Sequence, residues 1–292
     1  MTTTFRLGRW AGIPVGAHWT VLLTIAFIAQ TTALLVLPST APGYPVAAYW
    51  AAGVVIAVVF LASLLAHELA HAVVARRRGV RVDRITLWLL GGATTIEDQA
   101  PTPGTELRVT LAGPLVSLAT GGVFVLAGFA AGSVHWAALV VAGLSWLGGV
   151  NLVLAAFNLL PAAPLDGGRV LHALVWRFTG NRDRATAVAC GSGRILGSVT
   201  LALGVIEIVL GGLLTGLWLV LLGWYLTAAA NGERSNDQLR RGLDGVTVRD
   251  VMSPATVAPS WLTVDAFVER IGRHAGQRAF PSSTSPAGRV AS

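Results

Sequence analysis

One apolar stretch of this chain contains three ionisable side chains. Residues Ala51–Ala75 read AAGVVIAVVFLASLLAHELAHAVVA, which is long enough to cross a bilayer as a helix. His67 and His71 lie four positions apart, so on a helix both imidazoles leave the same face and can bind one metal ion, while Glu68 beside them can act on a water molecule at that metal. Because ionisable groups are costly inside a membrane, this stretch requires a functional explanation.

The composition is typical of a membrane protein. The chain has 292 residues, of which 54% are hydrophobic and 12% are charged, outside the usual range of soluble domains. The formal net charge is +7, and every basic residue is an arginine, mostly beside an apolar run. This pattern favours a topology signal over nucleic-acid binding, so we expect no nucleic-acid partner. Cys190 is the single cysteine, which excludes an intrachain disulfide and a thiolate zinc cluster.

Six apolar segments are long enough, or nearly long enough, to span a membrane. Their approximate bounds are residues 13–37, 48–75, 107–131, 136–160, 195–214 and 217–230. If the N-terminus is cytoplasmic, arginines flank the cytoplasmic ends, whereas the three opposite loops contain no arginine or lysine. The sequence therefore predicts an all-α polytopic protein of the cell membrane, with about six transmembrane helices and both termini in the cytoplasm.

Residues 80–103 interrupt the helical pattern. They contain β-branched and apolar residues around Leu90-Gly91-Gly92-Ala93-Thr94-Thr95-Ile96, a segment too short to span and provided with turn glycines. The sequence predicts a small membrane-associated β-hairpin or re-entrant loop here. Such backbone is tolerated at membrane depth only where it lines a cavity or is buried in protein.

A second motif, about a hundred residues after the first, contains a candidate for a third metal ligand. Zinc in hydrolases usually keeps three protein ligands and one open position. Residues Phe157–Gly168 read FNLLPAAPLDGG. Pro161 and Pro164 interrupt the helix, and the glycines free the backbone, so that Asp166 can point back into the helix bundle.

Together these residues resemble the site-2 protease family of intramembrane zinc metalloproteases. The likeness rests on His67–His71 inside a span, on Asn158–Gly168, and on their order and separation. It implies a zinc endopeptidase that cleaves in or near the transmembrane segment of a membrane-anchored regulatory protein, such as an anti-sigma factor, in regulated intramembrane proteolysis. It also implies one zinc ion per chain on His67, His71 and Asp166, with Glu68 as the catalytic base.

The resemblance draws attention to three further features. The Asn158 amide is a candidate donor to the developing oxyanion, although a hydrogen bond between helices is nearly as good an explanation. Ala112–Ser117 resembles a Gly-Pro segment of the family, and Ser117 replaces the asparagine of many relatives, so a polar role there is open. The Gly91-Gly92 hairpin resembles the β element thought to hold an extended substrate beside the metal.

The sequence allows other functions, and it contains further polar residues in or near the apolar segments. A metal transporter or a non-catalytic zinc-binding protein would place polar residues along several spans on both sides of the midplane, whereas here they concentrate in one half. A receptor governed by its tail is a weaker hypothesis. His18 is either an interfacial residue or a group near the metal, and Glu207 is either hydrogen-bonded inside the bundle or lines a water path.

The chain becomes polar after residue 230. We predict a transmembrane zinc peptidase domain over residues 1–230, a linker over 231–245, a short segment over 246–281 with too little core to fold alone, and a disordered tail over 282–292. Val248–Pro254, read VRDVMSP, followed by Thr263-Val264-Asp265, resembles the opening of a cystathionine-β-synthase-type domain, a module that binds adenine nucleotides. The remaining strands and the second repeat are missing, so we expect a truncated domain and no nucleotide binding.

Overall fold

The structure is a computed structural model that describes residues 3–89, 91–96, 100–134, 137–242, 247, 250, 258–269 and 282–283. The chain divides into two compact units, Met1–Asn236 and Asp237–Ser292. The larger unit contains the apolar segments and both metal-site motifs. The smaller unit contains the C-terminal segment and is described separately.

Six of the described helices are long and apolar enough to cross a membrane. They are α1 (Val21–Thr40), α2 (Val46–Arg77), α3 (Pro103–Ser133), α4 (Ala138–Asn158), α6 (Arg182–Val209) and α7 (Leu213–Gly242), and a shorter helix, α5 (Asp166–Thr179), lies between the fourth and fifth spans. The predicted fold class of a polytopic helical membrane protein is confirmed.

Capping residues set several of these boundaries. The Thr102 side chain accepts a hydrogen bond from the Thr105 amide before α3, and the Asn181 side chain accepts one from the Arg184 amide before α6. Gly180 ends α5 in the left-handed conformation, with a φ of 66°, which glycine adopts without steric cost. α5 and α6 are therefore separate helices joined by a tight turn.

A four-stranded sheet packs against α2. Its described strands are β1 (Phe5–Trp10), β2 (Ile13–Ala17), β3 (Val82–Trp88) and β4 (Gly91–Ile96), in that order. β1 pairs with β2 and β3 with β4 in antiparallel hairpins, whereas β2 and β3 are parallel. Alternate residues of β2 and β3 join one apolar cluster with residues of α2, namely Ile13, Val15, Ala17, Ile85, Leu87, Leu61, Leu64, Leu65 and Ala72. The predicted hairpin is confirmed, and it belongs to a larger sheet.

The first, fifth and last spans differ from their predicted bounds. The fifth, predicted over residues 195–214, is Arg182–Val209. Ile13–Ala17, predicted as the start of the first span, is strand β2, and α1 begins at Val21. A short apolar run next to a longer one does not distinguish strand from helix, and the decisive interaction is pairing with β3, which lies far along the chain. The last helix, predicted over residues 217–230, extends over Leu213–Gly242.

The smaller unit contains a few described elements. β5 (Ala258–Pro259) pairs in parallel with β6 (Ser282–Ser283), and α8 (Val264–Phe267) is one short turn of helix. Residues 248–249 and 251–257, which contain most of the VRDVMSP motif, lie outside the described residues. The domain boundaries given above stay predictions.

Candidate metal centre

Helix α2 brings the two histidines together. Their Nε2 atoms lie 3.1 Å apart, and the residues are 3% and 8% exposed. The four-residue spacing places the rings on one face of the helix, as predicted. Both Nε2 atoms point to the same position.

The loop between α4 and α5 brings Asp166 to that position. Asp166 is the first residue of α5, and its Oδ2 lies 3.2 Å from Nε2 of His67 and 3.2 Å from Nε2 of His71. The loop folds tightly because a Cβ at Gly167 or Gly168 would overlap the loop backbone. The Ala163 amide, in the same loop, donates to the Ala189 carbonyl of α6 at 3.3 Å.

The three donor atoms fit a zinc ion. Zinc binds nitrogen and oxygen ligands at about 2.0–2.1 Å in tetrahedral geometry, which places neighbouring donor atoms about 3.3–3.4 Å apart. The observed edges of 3.1, 3.2 and 3.2 Å are close to this face of a tetrahedron. His67, His71 and Asp166 could therefore hold one metal ion.

Helix α3 orients both imidazole rings. His71 Nδ1 lies 2.8 Å from the carbonyl oxygen of Val109, and His67 Nδ1 lies 2.9 Å from Oγ of Ser117. Because a carbonyl only accepts hydrogen bonds, Nδ1 of His71 carries the proton, and in the neutral ring the lone pair is on Nε2, where a metal needs it. Ser117 thus has the polar contact that the sequence left open.

Gly113 faces the metal position from α3. A Cβ at this residue would overlap Nε2 of His71 and lie 2.6 Å from Nε2 of His67. The next residue, Pro114, lies inside the helix and removes one backbone donor from it. Only glycine lets α3 approach the donor atoms this closely. The sequence contains the Gly-Pro motif, but the steric reason for its glycine lies in the contact between two helices.

The electrostatics of Asp166 favour a negative charge. Burial raises the pKa of its carboxyl, but when the rings of His67 and His71 are protonated at Nε2, their hydrogen bonds to the carboxylate and their charge outweigh burial and lower the pKa below its usual range. The group is therefore a carboxylate at neutral pH, as metal binding requires.

Glu68 lies between the histidines and the sheet. It is half-buried on α2, and a Cβ at Gly92 of β4 would lie 2.7 Å from its Cδ and 2.9 Å from its Oε1. The absence of a side chain at Gly92 thus lets the strand approach the carboxylate. The structure brings the hairpin, Glu68 and the two histidines into one region.

Asn158, the remaining predicted site residue, is the last residue of α4 and is half-buried. His18 Nδ1 lies 3.0 Å from Thr20 Oγ1, and its ring lies beside Trp19, shortly before α1 begins. Glu207 lies two residues before the end of α6, where its side chain lies against Gly212. It is therefore near a helix end.

A polar link between α3, α5 and α6 was missed in the sequence. His172 Nδ1 of α5 lies 2.9 and 3.0 Å from the two carboxylate oxygens of Glu106 in α3, and its Nε2 lies 3.3 Å from Thr186 Oγ1 of α6. Neither Glu106 nor His172 lies in a motif that connects the two residues. The link fixes the helix that begins with Asp166.

Comparison with known proteins relates this site to a family. The model of peptidase family M50 matches residues 55–138 and 131–199. Rip3 of Mycobacterium tuberculosis, a protein named as a zinc metalloprotease, is 44% identical over 283 residues, which cover 96% of this chain and 72% of Rip3. The chain belongs to peptidase family M50.

Two further comparisons agree with this family M50 assignment. A protein of Synechocystis, also named as a zinc metalloprotease, is 32% identical over 270 residues, covering 91% of this chain and 69% of the relative. The solved structure of the site-2 protease from Methanocaldococcus jannaschii has a TM-score of 0.53 and 28% identity, covering 79% of this chain and 94% of that chain. This M50 peptidase is thus a multi-pass membrane zinc metalloendopeptidase of the site-2 protease family.

Proposed function

We propose that His67, His71 and Asp166 hold the catalytic zinc ion of this M50 peptidase and that Glu68 is the catalytic base. The observation that carries this proposal is the triangle of three donor atoms with edges of 3.1–3.2 Å, formed by two motifs far apart in the chain. Zinc at such a site supplies Lewis acidity, which lowers the pKa of water and polarises a carbonyl group.

The Glu68 carboxylate accepts the proton of the attacking water and delivers it to the leaving amine. Its neighbourhood supports this role, because Glu68 directly follows the ligand His67 on α2 and is only half-buried, so that water can reach it. Asn158, at the end of α4 beside the loop that positions Asp166, donates its side-chain amide to the developing oxyanion.

The substrate is an extended segment of a membrane-spanning protein. A helix hides its carbonyl groups in its own hydrogen bonds, so a transmembrane substrate has to unwind before water can attack. β4 is last in the order of the described strands, and its Gly92 lies against Glu68. An unwound segment that adds to β4 as a further strand brings its backbone to the metal site.

The biological substrate is a membrane-anchored regulatory protein, such as an anti-sigma factor, and the reaction is a step of regulated intramembrane proteolysis. Both termini of the chain are cytoplasmic, which is supported by the arginines at one set of helix ends. The segment over 246–281 resembles the opening of a cystathionine-β-synthase-type domain, and we infer that this segment binds no adenine nucleotide. Isothermal titration with ATP and AMP tests this inference, and micromolar affinity would contradict it.

Glu68→Gln tests the assignment of the base. The purified, reconstituted variant should retain one zinc ion per chain and lose at least about a thousandfold in the cleavage rate of a transmembrane test substrate, because the proton acceptor is removed and the ligands remain. Glu233→Gln, a substitution on α7 away from the site, is the control and should cleave normally. Unchanged cleavage by the Glu68 variant would exclude Glu68 as the base.

A further inference from the structure

A second polar site lies on the sheet, on the face turned away from α2. A cavity of about 440 Å³ is lined there by residues of the first three strands and their surroundings. Three arginines line it, namely Arg6 and Arg9 of β1 and Arg84 of β3, together with one acidic residue, Asp83. Zinc peptidase chemistry at His67 and His71 uses none of these groups.

The strand register builds this cavity. Arg6 pairs with Gly16 and Arg9 with Pro14 across the β1–β2 hairpin, and a bulge between Arg6 and Gly8 brings both arginines onto one face. Pro14 and Gly16 alternate with the core residues of β2, so they lie on the outer face of the sheet, where their small size leaves space for the cavity. Ile85 pairs with Val15 on the core face. Arg84, the residue before it, therefore lies on the outer face and adds a third guanidinium group beside Pro14 and Gly16.

The charge of the cavity suits an anion. Three arginines against one carboxylate give the lining a net charge of +2. The contact between Asp83 and Arg84 is made by Nε of Arg84, which lies 2.8 Å from Oδ2 of Asp83. Guanidinium groups bind phosphate oxygens with two parallel hydrogen bonds and are less strongly hydrated than ammonium groups. A topology signal requires arginines on one side of a membrane, but it does not require three of them around one cavity.

The cavity lies close to the membrane surface. Arg76, at the end of α2, donates from Nη1 to the carbonyl of Ala11 at 2.5 Å, which places the β1–β2 turn at the level of that helix end. Arg9 lies two residues from this turn. The surrounding side chains are those of a membrane interface, since Trp10 and Trp19 are each 51% exposed.

We propose that this cavity binds the phosphate of an anionic phospholipid headgroup through Arg6, Arg9 and Arg84. Phe5 and Trp10 of β1 pair with Ala17 and Ile13, so they lie on the opposite face of the sheet from the cavity. Both are exposed, and aromatic side chains of this kind anchor a protein at a membrane interface. The bound lipid then fixes the sheet, and with it β4, at the bilayer surface. Each arginine near an anionic membrane surface lowers the dissociation constant for that surface about fivefold.

The test is lipid retention by the full-length protein in dodecyl maltoside, followed by native mass spectrometry with phosphatidylglycerol, phosphatidylcholine or inorganic phosphate added. Wild type should retain phosphatidylglycerol in preference to phosphatidylcholine. The triple variant Arg6→Gln, Arg9→Gln and Arg84→Gln should bind phosphatidylglycerol about a hundredfold more weakly. The matched control, Arg177→Gln, Arg184→Gln and Arg234→Gln, removes the same charge elsewhere and should bind normally.

Four outcomes would overturn the proposal. Wild type could retain both lipids equally, the two triple variants could lose phosphatidylglycerol equally, or millimolar inorganic phosphate could displace phosphatidylglycerol. In the fourth outcome, the Arg6, Arg9 and Arg84 variant retains the lipid as wild type does but has a raised KM for a substrate with an acidic flank. The last outcome would assign the cavity to the substrate. If the triple variant misfolds, the single variants Arg9→Gln and Arg84→Gln test the same prediction, because each should weaken lipid binding about fivefold. Zinc content and cleavage of a neutral substrate in detergent should be normal in all of them, which separates this test from that of the peptidase site.

Discussion

Oγ of Ser117 lies 2.9 Å from Nδ1 of His67, although the two residues are 50 positions apart in the chain. Ser117 is fully buried in α3, so this hydrogen bond has no competition from water. It holds the His67 ring with Nε2 turned toward His71 and Asp166. Groups of this kind orient a ligand and increase its basicity without touching the metal.

Ser117→Ala should weaken zinc binding about 10- to 100-fold, because the His67 ring loses the group that orients it. Competition with a chelator of known affinity measures this change. The control is Ser133→Ala at the exposed end of the same helix, which should bind zinc as wild type does. If the Ser117 variant and wild type have equal affinity, the hydrogen bond has no role in positioning the ligand.

Asp166→Ala should abolish stoichiometric zinc binding, since the site then has two protein ligands instead of three. Metal analysis after dialysis should give close to one zinc per chain for wild type and far less for the variant. Asp183→Ala, in the first turn of α6, is the control for loss of a carboxylate. One zinc per chain in the Asp166 variant would require a different third ligand.

Gly113→Ala should eliminate zinc binding and cleavage while the helices remain folded. The new Cβ would overlap Nε2 of His71, and backbone or ligands would have to move. Gly122→Ala on the same helix is a matched control, because a Cβ there has no neighbour within 4 Å. The control should keep its zinc and gain up to about 1 kcal/mol in stability, as expected for Gly→Ala in a helix. Metal analysis and circular dichroism distinguish the two variants, and equal zinc contents would contradict the steric argument.

The Glu106–His172 pair should stabilise the helix that begins with Asp166. In a double-mutant cycle with Glu106→Gln and His172→Gln, we expect a coupling free energy of about 1 kcal/mol in the free energy of unfolding, because the pair is largely buried. The exposed pair Asp83–Arg84 should give a coupling near zero. Faster hydrogen exchange of the Gly167 and Gly168 amides in either single variant would show that α5 is loosened at the metal site, and unchanged exchange with no coupling would refute the link.

Particular residues show how far sequence reasoning extends. His67 and His71 were predictable because a helix fixes their spacing locally, and Asp166 because prolines and glycines mark a break in a span. The predicted bounds of the first span were wrong. Ile13–Ala17 is apolar enough for a helix or a strand, and its pairing with β3 makes it a strand. The contact between Val109 and His71 uses a backbone carbonyl, which has no sequence signal.

The sequence by itself determined that the chain is a membrane protein, where its helices lie and which side chains are candidates for metal binding, because hydropathy and residue spacing act over short stretches. Only the tertiary structure decided how α3 presents Gly113 and Ser117 to the histidines, how Glu106 reaches His172, and how three arginines border one cavity. These relationships join residues that are far apart in the chain, and they arise from the packing of whole helices and strands.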